Sequence, residues 1–246
     1  MAGSLIAVQE SVKTGDIKSR PTGIELLDKK IDGGVPEGSL VCIYANPISM
    51  PEAFLYHFAS VTRSYYFVTS RPAEYVKVSM ENMGFSTDKV VFIDVFTQYY
   101  MNEYGQFVII DKYRDKEIFD FIDHQLNEIY EKGGTYNVIF DSISFFLRLE
   151  VPIGLKEWLI NKLYVHAKQT NNVYCIYLMK GVHPSDIVNM VLEVSDVIFD
   201  VDTVVQGDRI VSRLSIPKIR NRKPVMETFK YSISEGVQID TSRDIA

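Results

Sequence analysis

Val41-Cys42-Ile43-Tyr44-Ala45-Asn46-Pro47-Ile48-Ser49-Met50-Pro51-Glu52-Ala53-Phe54 reads as an apolar strand, a tight turn and the start of a helix. The run Leu40–Tyr44 is short, apolar and bounded by turn residues, which suits a strand buried on both faces. Pro51 fits the first helical position, where its missing N–H costs nothing. Phe54, Leu55, Phe58 and Val61 continue at helical spacing. A phosphate-binding loop in this frame needs G-x-x-x-x-G-K-[ST]: glycines that let N–H groups wrap phosphates, and a Lys for the outer oxygens. The diagnostic positions here are Ala45, Met50, Pro51 and Glu52, around Asn46, Pro47, Ile48 and Ser49. The frame is present and the phosphate chemistry is missing.

Upstream, Arg20-Pro21-Thr22-Gly23 is turn chemistry, with Thr22 placed to cap a short helix carrying Ile24, Leu27 and Ile31. The Gly/Pro-rich run Asp32–Ser39 then predicts a tight loop. Downstream, short apolar runs alternate with amphipathic ones. Strands are expected at Tyr65–Thr69, Val90–Val95, Tyr136–Phe140 and Val173–Met179. Helices are expected over Ala73–Met83, Asp115–Tyr130, Gly154–Gln169 and Asp186–Val194, the last capped by Ser185. Phe96–Arg114 reads as a loop with a short strand. From Val197 the pattern turns to strand after strand: Val197–Val205, Ile210–Ile219, Phe229–Ile233 and Val237–Ile239. This order predicts an α/β fold with a mostly parallel sheet covered on both faces and a C-terminal antiparallel extension. We expect an arm over residues 1–20, with Ser4–Val8 able to act as a strand, and one domain over 21–246.

The chain has 246 residues, 46% hydrophobic and 24% charged, enough for one well-filled α/β core and unlike a disordered chain. A net charge of −6 argues against a surface coated with nucleic acid. Cys42 and Cys175 sit inside apolar runs and read as core residues rather than a disulfide. No apolar run reaches the ~18 residues of a membrane helix. The opening MAGSLIAVQESVK lacks the pattern of a signal peptide, so a cytoplasmic location is expected.

Thr22, Gly23, Leu27, Asp28, Gly33, Gly34, Pro36, Gly38 and Ser39, running into the Leu40 strand, resemble the opening of the KaiC-like branch of the RecA-fold ATPases. Val138–Ser142 looks like that branch's Walker B strand with its terminal Asp-Ser. Lys218-Ile219-Arg220-Asn221 looks like its K-x-R segment, and the ending ETFKYSISEGVQI looks like its closing hairpin. The resemblance covers roughly residues 20–240 and implies a RecA-like three-layer domain. It also implies what is lost. Ser70 and Arg71 stand where the family often places the Glu that activates the attacking water.

Each candidate site residue has a plain structural alternative. Pro51 removes an N–H donor and Glu52 puts a carboxylate where a triphosphate needs positive potential, so the turn reads as a stable helix start. Asp141, followed by Ser142, reads as a framework residue, because Mg²⁺ here loses the phosphates and the loop hydroxyl that help hold it. Glu74, Asp94, Asp111 and His57 have no diagnostic spacing for acid–base work, and His183 reads as a loop residue. No Cys/His pattern suggests zinc. Lys218, Arg220, Arg222 and Lys223 put four positive charges in six residues. They read as a solvated strand end, then as a subunit contact supplied in trans, then as a nucleic-acid contact. Of 15 tyrosines, Tyr99, Tyr100 and Tyr104 group in one region and suggest a partner surface.

The function expected is that of a non-catalytic KaiC/RecA-like protein without cofactor or metal. It would work through contacts with its own copies, an active relative, or a peptide strand added to a sheet edge. The alternatives are a weak or unconventional ATP-binding protein or ATPase using Asp141 and Glu74, and a DNA recombination or repair accessory using the basic segment.

Overall fold

The computed structural model describes residues 18–206, 209–223 and 225–240. The chain order is β1 (Ser19–Arg20), α1 (Glu25–Lys30), β2 (Val35–Pro36), β3 (Leu40–Ala45), a 3-10 turn (Pro47–Ser49) and α2 (Glu52–Ser60). Then come β4 (Ser64–Val68), α3 (Ala73–Asn82), β5 (Val90–Asp94), α4 (Val95–Tyr100), α5 (Lys112–Lys132), β6 (Asn137–Phe140) and α6 (Ile143–Arg148). They are followed by α7 (Ile153–Thr170), β7 (Val173–Met179), α8 (Ser185–Val194), β8 (Val197–Gln206), β9 (Arg209–Ile219), β10 (Thr228–Ser234) and β11 (Gly236–Asp240).

Among the described residues, one 9-stranded sheet runs in the order β11-β10-β9-β8-β3-β7-β6-β4-β5. From β8 to β5 every pairing is parallel, and β9, β10 and β11 add antiparallel on the β8 side. The parallel body and the antiparallel extension are therefore as expected.

Residue alternation in the strands sorts the core into two layers. Val41, Ile43 and Ala45 of β3, Tyr66 and Val68 of β4, and Cys175 and Tyr177 of β7 pack with α2 and α3. Leu40, Cys42, Tyr65, Phe67, Tyr174 and Ile176 pack on the other face with α5, α6 and α7. Cys42 and Cys175 are free, buried and on opposite faces, so they cannot bridge. Burial pushes the Cys42 thiol up to about 12, the behaviour of an inert core residue.

The region 96–114 differs from the expected loop and strand. Asp94 accepts from Thr97 N–H at 2.8 Å and starts α4, and Arg114 donates to the carbonyls of Gln98, Tyr99 and Met101 at its end. Only an isolated bridge between Met101 and Phe107 remains of the strand. α6 was also not expected. Thr22 does not cap α1: its hydroxyl accepts from Ile24 N–H and donates to Asp28, tying the turn before the helix. Ser185 does not cap α8, which follows Pro184 and has no side-chain cap. Most of the expected arm, including Ser4–Val8, lies outside the described residues. Ser19 and Arg20 belong to the folded body: β1 pairs with β2, and buried Arg20 meets Glu37 at 3.2 Å.

Candidate functional site

At the end of β3 the turn closes on itself. The Asn46 side chain accepts from Ile48 N–H at 3.2 Å, and the Asn46 carbonyl accepts from Ser49 N–H at 2.9 Å. Asn46 N–H donates to Val201, while Pro47 and Pro51 have no N–H. Tyr231 reaches over from β10 and donates to the Ser49 carbonyl at 2.8 Å. Met50 adopts the left-handed conformation, φ 50 and ψ 53. Lys180, whose N–H binds the Ala45 carbonyl, has its ammonium held by Asp200 and Asp202.

A cavity of about 210 Å³ opens between this turn and the ends of β4, β6 and β7. It gathers seven of the residues singled out from the sequence: Pro47, Pro51, Glu52, Ser70, Arg71, Asp141 and Ser142. Ala45 and Ser49 are buried outside its lining, and Ile48 and Met50 face solvent. Asp141 accepts from Thr69 N–H at 2.8 Å, from Thr69 Oγ1 at 2.7 Å and from Ser70 Oγ at 3.2 Å. Burial raises its carboxyl above the usual range, and the Thr69 and Ser70 hydrogen bonds oppose that rise.

Three tyrosines that the sequence pattern marks only as core residues belong to the site as well. Tyr56, Tyr66 and Tyr177 line the same cavity. Arg71 donates to the Tyr56 hydroxyl at 3.2 Å. Burial pushes Tyr56 up to about 12, Tyr66 well above the ordinary phenol and Tyr177 up as well, so all three are neutral phenols. The hydroxyls of Tyr66, Tyr177 and Ser142 and the Arg71 Nε are buried without a hydrogen-bond partner. Buried polar atoms normally find partners. Four such atoms belong to residues that line this one cavity.

The remaining expected residues do not join this site. Lys218 donates to the carbonyls of Leu192 and Glu193 at 2.7 and 2.8 Å, and Arg220 to that of Glu193 at 2.5 Å. Both thereby cap the end of α8, where cations are favoured. Arg222 donates to Ile31 and Gly34 carbonyls and to Ser19 Oγ. β9 runs antiparallel to β8, so this basic segment sits at the end of the sheet opposite the Ala45–Glu52 turn. Tyr99 lies in the core and donates to Asp115, which removes it from the expected partner surface; Tyr100 is half-buried and Tyr104 is exposed.

The other titratable candidates lie outside the cavity lining. Asp94 accepts from Ala73 N–H and Thr97 N–H, Asp111 starts α5, and Glu74 is exposed. His57 accepts from Val237 N–H at 2.8 Å. Among the described residues no group of three or more His, Cys, Asp or Glu is placed to hold a metal. A larger groove of about 620 Å³ runs along α7 past Trp158 and Lys162, but a single helix lines all of it. Among those residues no helix is long and apolar enough to cross a membrane.

This architecture is the RecA-type α/β fold in its KaiC-like form. The KaiC-like protein PH0186 from Pyrococcus horikoshii OT3 superposes with a TM-score of 0.69 at 15% identity, over 91% of this chain and 99% of that one. An uncharacterized protein, PH0321 from Pyrococcus horikoshii, crystallised in complex with an unknown peptide, superposes with a TM-score of 0.64 at 16% identity. That match covers 90% of this chain and 99% of PH0321. The chain belongs to the family of unknown function DUF7125, whose model matches residues 19–246. No curated protein sequence matches it.

Proposed function

We propose that this protein is a non-catalytic KaiC/RecA-like domain, a pseudo-ATPase that acts through protein contacts. The observation that carries the reading is the closed turn. The N–H groups of Asn46, Ile48 and Ser49 are consumed within the protein, and Pro47 and Pro51 have none to offer. Phosphate binding at a helix start depends on such donors being free. Glu52 and Asp141 face the same cavity, so a triphosphate entering it meets two carboxylates against one guanidinium. The test is calorimetric titration of the full chain with ATP and Mg²⁺, paired with a phosphate-release assay. No saturable binding and no turnover are expected. Micromolar binding, or turnover abolished by Asp141→Asn, would falsify the reading and favour an unconventional ATPase.

For the contact itself we favour a peptide strand added at the β5 edge of the sheet. β5 ends the strand order, and Val91 on it is exposed. Tyr104, Phe107, Ile109 and Tyr113 lie exposed on the chain that follows α4, which starts where β5 ends. Exposed strand edges accept extended peptides. The peptide in the PH0321 crystal supports this class of partner. Light scattering over a concentration series separates self-association from a foreign partner, and Phe107→Asp is expected to weaken either. The DNA reading loses support because Lys218, Arg220 and Arg222 are spent on carbonyls. Binding to single strands that weakens with salt and with Lys218→Ala would restore it.

A further inference from the structure

We propose that the cavity beside the closed turn binds a small zwitterion of the α-amino-acid class. The proposal goes beyond the partner role and needs only that the cavity be free of nucleotide. Strand alternation explains how the site is made. Tyr66 on β4 and Tyr177 on β7 face the α2 side of the sheet, and β6 lies between them. Asp141 follows β6 directly, so two phenols and a carboxylate converge under the start of α2.

The hydrogen-bond inventory defines the guest. Tyr66, Tyr177 and Ser142 are 0%, 6% and 7% exposed, line the cavity, and carry hydroxyls without partners. Each hydroxyl donates once and accepts twice. The Arg71 Nε–H is a pure donor, buried and unpaired. Glu52, on the first turn of α2, is a pure acceptor. Asp141 is largely spent on Thr69 and Ser70 and serves mainly to hold the end of β4 in place.

A guest must therefore offer a negative oxygen to Arg71 and a positive N–H group to Glu52. Phosphate supplies only the first and adds repulsion from both carboxylates. A simple amine supplies only the second and leaves the Arg71 Nε stranded. A metal ion finds the Asp141 oxygens already engaged. A cavity of about 210 Å³ lies below the roughly 300–1,000 Å³ typical of drug-sized pockets, which suits a small metabolite. A zwitterion meets both charges and lets the three hydroxyls bridge them, and its two charges lose less in such a site than either alone.

The experiment titrates the full chain with each of the twenty common L-amino acids, read by calorimetry and by thermal shift. Saturable binding of at least one is expected. Its decarboxylated amine and its deaminated acid are each expected to bind at least tenfold more weakly. Arg71→Lys, which keeps the charge but loses Nε, and Tyr177→Phe are expected to weaken binding roughly ten- to a hundredfold and fivefold or more, respectively. Both substitutions are mild, and thermal melts identify any variant that has failed to fold. No binding by any amino acid, or equal binding of the amine and the zwitterion, overturns the proposal. ATP with Mg²⁺ is run beside them. Failure of both leaves the pseudo-ATPase reading standing and removes this one, whereas ATP binding alone removes both.

Discussion

His57 makes the fold acid-labile in a way that one substitution isolates. It lies buried in α2, with its ring edge-to-face on Phe85 at 4.8 Å between centroids. Nε2 accepts from Val237 N–H at 2.8 Å. The neutral ring thus ties α2 to the last hairpin. Protonating Nε2 would turn the acceptor into a donor facing the Val237 N–H. Burial lowers the His57 pKa from 6.5 to about 4, and the nearby Gly23 backbone offsets only part of the fall.

The sign follows directly. The unfolded chain takes up this proton at pH 6.5 and the folded chain only near 4. The stabilisation is therefore complete above pH 6.5 and is lost progressively as pH falls from 6.5 to about 4. At about 1.4 kcal/mol per pH unit, the span amounts to about 3 kcal/mol. His57→Gln keeps an acceptor for Val237 but cannot titrate. Urea unfolding of both proteins at half-unit steps from pH 7.5 to 4 is the assay. The wild type is expected to lose about 3 kcal/mol more than the variant across the window. Every other titrating group, including the half-buried His166, is common to both and cancels. Parallel stability curves would refute the reasoning, whatever their absolute offset.

Two further substitutions test the N-terminal turn and the basic segment. Gly34 has φ +125, and a β-carbon there would lie 2.0 Å from the Arg20 carbonyl oxygen, so Gly34→Ala must separate β1 from β2. A loss of at least about 3 kcal/mol by urea unfolding, or failure to fold, is expected. Arg222→Ala frees the Ile31 and Gly34 carbonyls and the Ser19 hydroxyl, and is expected to cost about 2 kcal/mol without changing self-association. Lost association with unchanged stability would instead support the reading of this segment as a subunit contact.

The sheet was legible because its central strands are continuous apolar runs: LVCIY, YYFV, NVIF and VYCIYLM cannot satisfy anything but a doubly covered position. α4 and α6 span six residues each, too few for a 3.6-residue period to declare itself. Asp94-x-x-Thr97 was a readable start for α4 that the aromatic run around it obscured. The site was half legible. Turn residues and Asp141 announce themselves by position along the chain. Tyr66 and Tyr177 read as core, because only the strand order places β4 two strands from β7 and turns both phenols toward one cavity. The basic run was legible as charge but not by its contacts: four charges in sequence look free, and only the fold shows that Lys218 and Arg220 face the carbonyl end of α8.

Met50 carries a sharper test of what holds the turn. It stands where a phosphate-binding loop would carry its second glycine, and its backbone is left-handed, φ 50, where a side chain is strained. Met50 is 41% exposed, so its side chain returns little burial. Left-handed backbone costs a non-glycine residue about 1–2 kcal/mol, and the added freedom of glycine in the unfolded chain takes back about 0.4–1. Met50→Gly is therefore expected to stabilise the protein by roughly 0.5–1 kcal/mol, against the usual direction for introducing glycine. Introducing the glycine is also expected to produce no ATP binding, because Ile48 and Ser49 N–H still point at Asn46. A destabilised variant would mean that the methionine side chain supports the turn. Nucleotide binding by this variant would mean that Asn46 does not hold the turn closed.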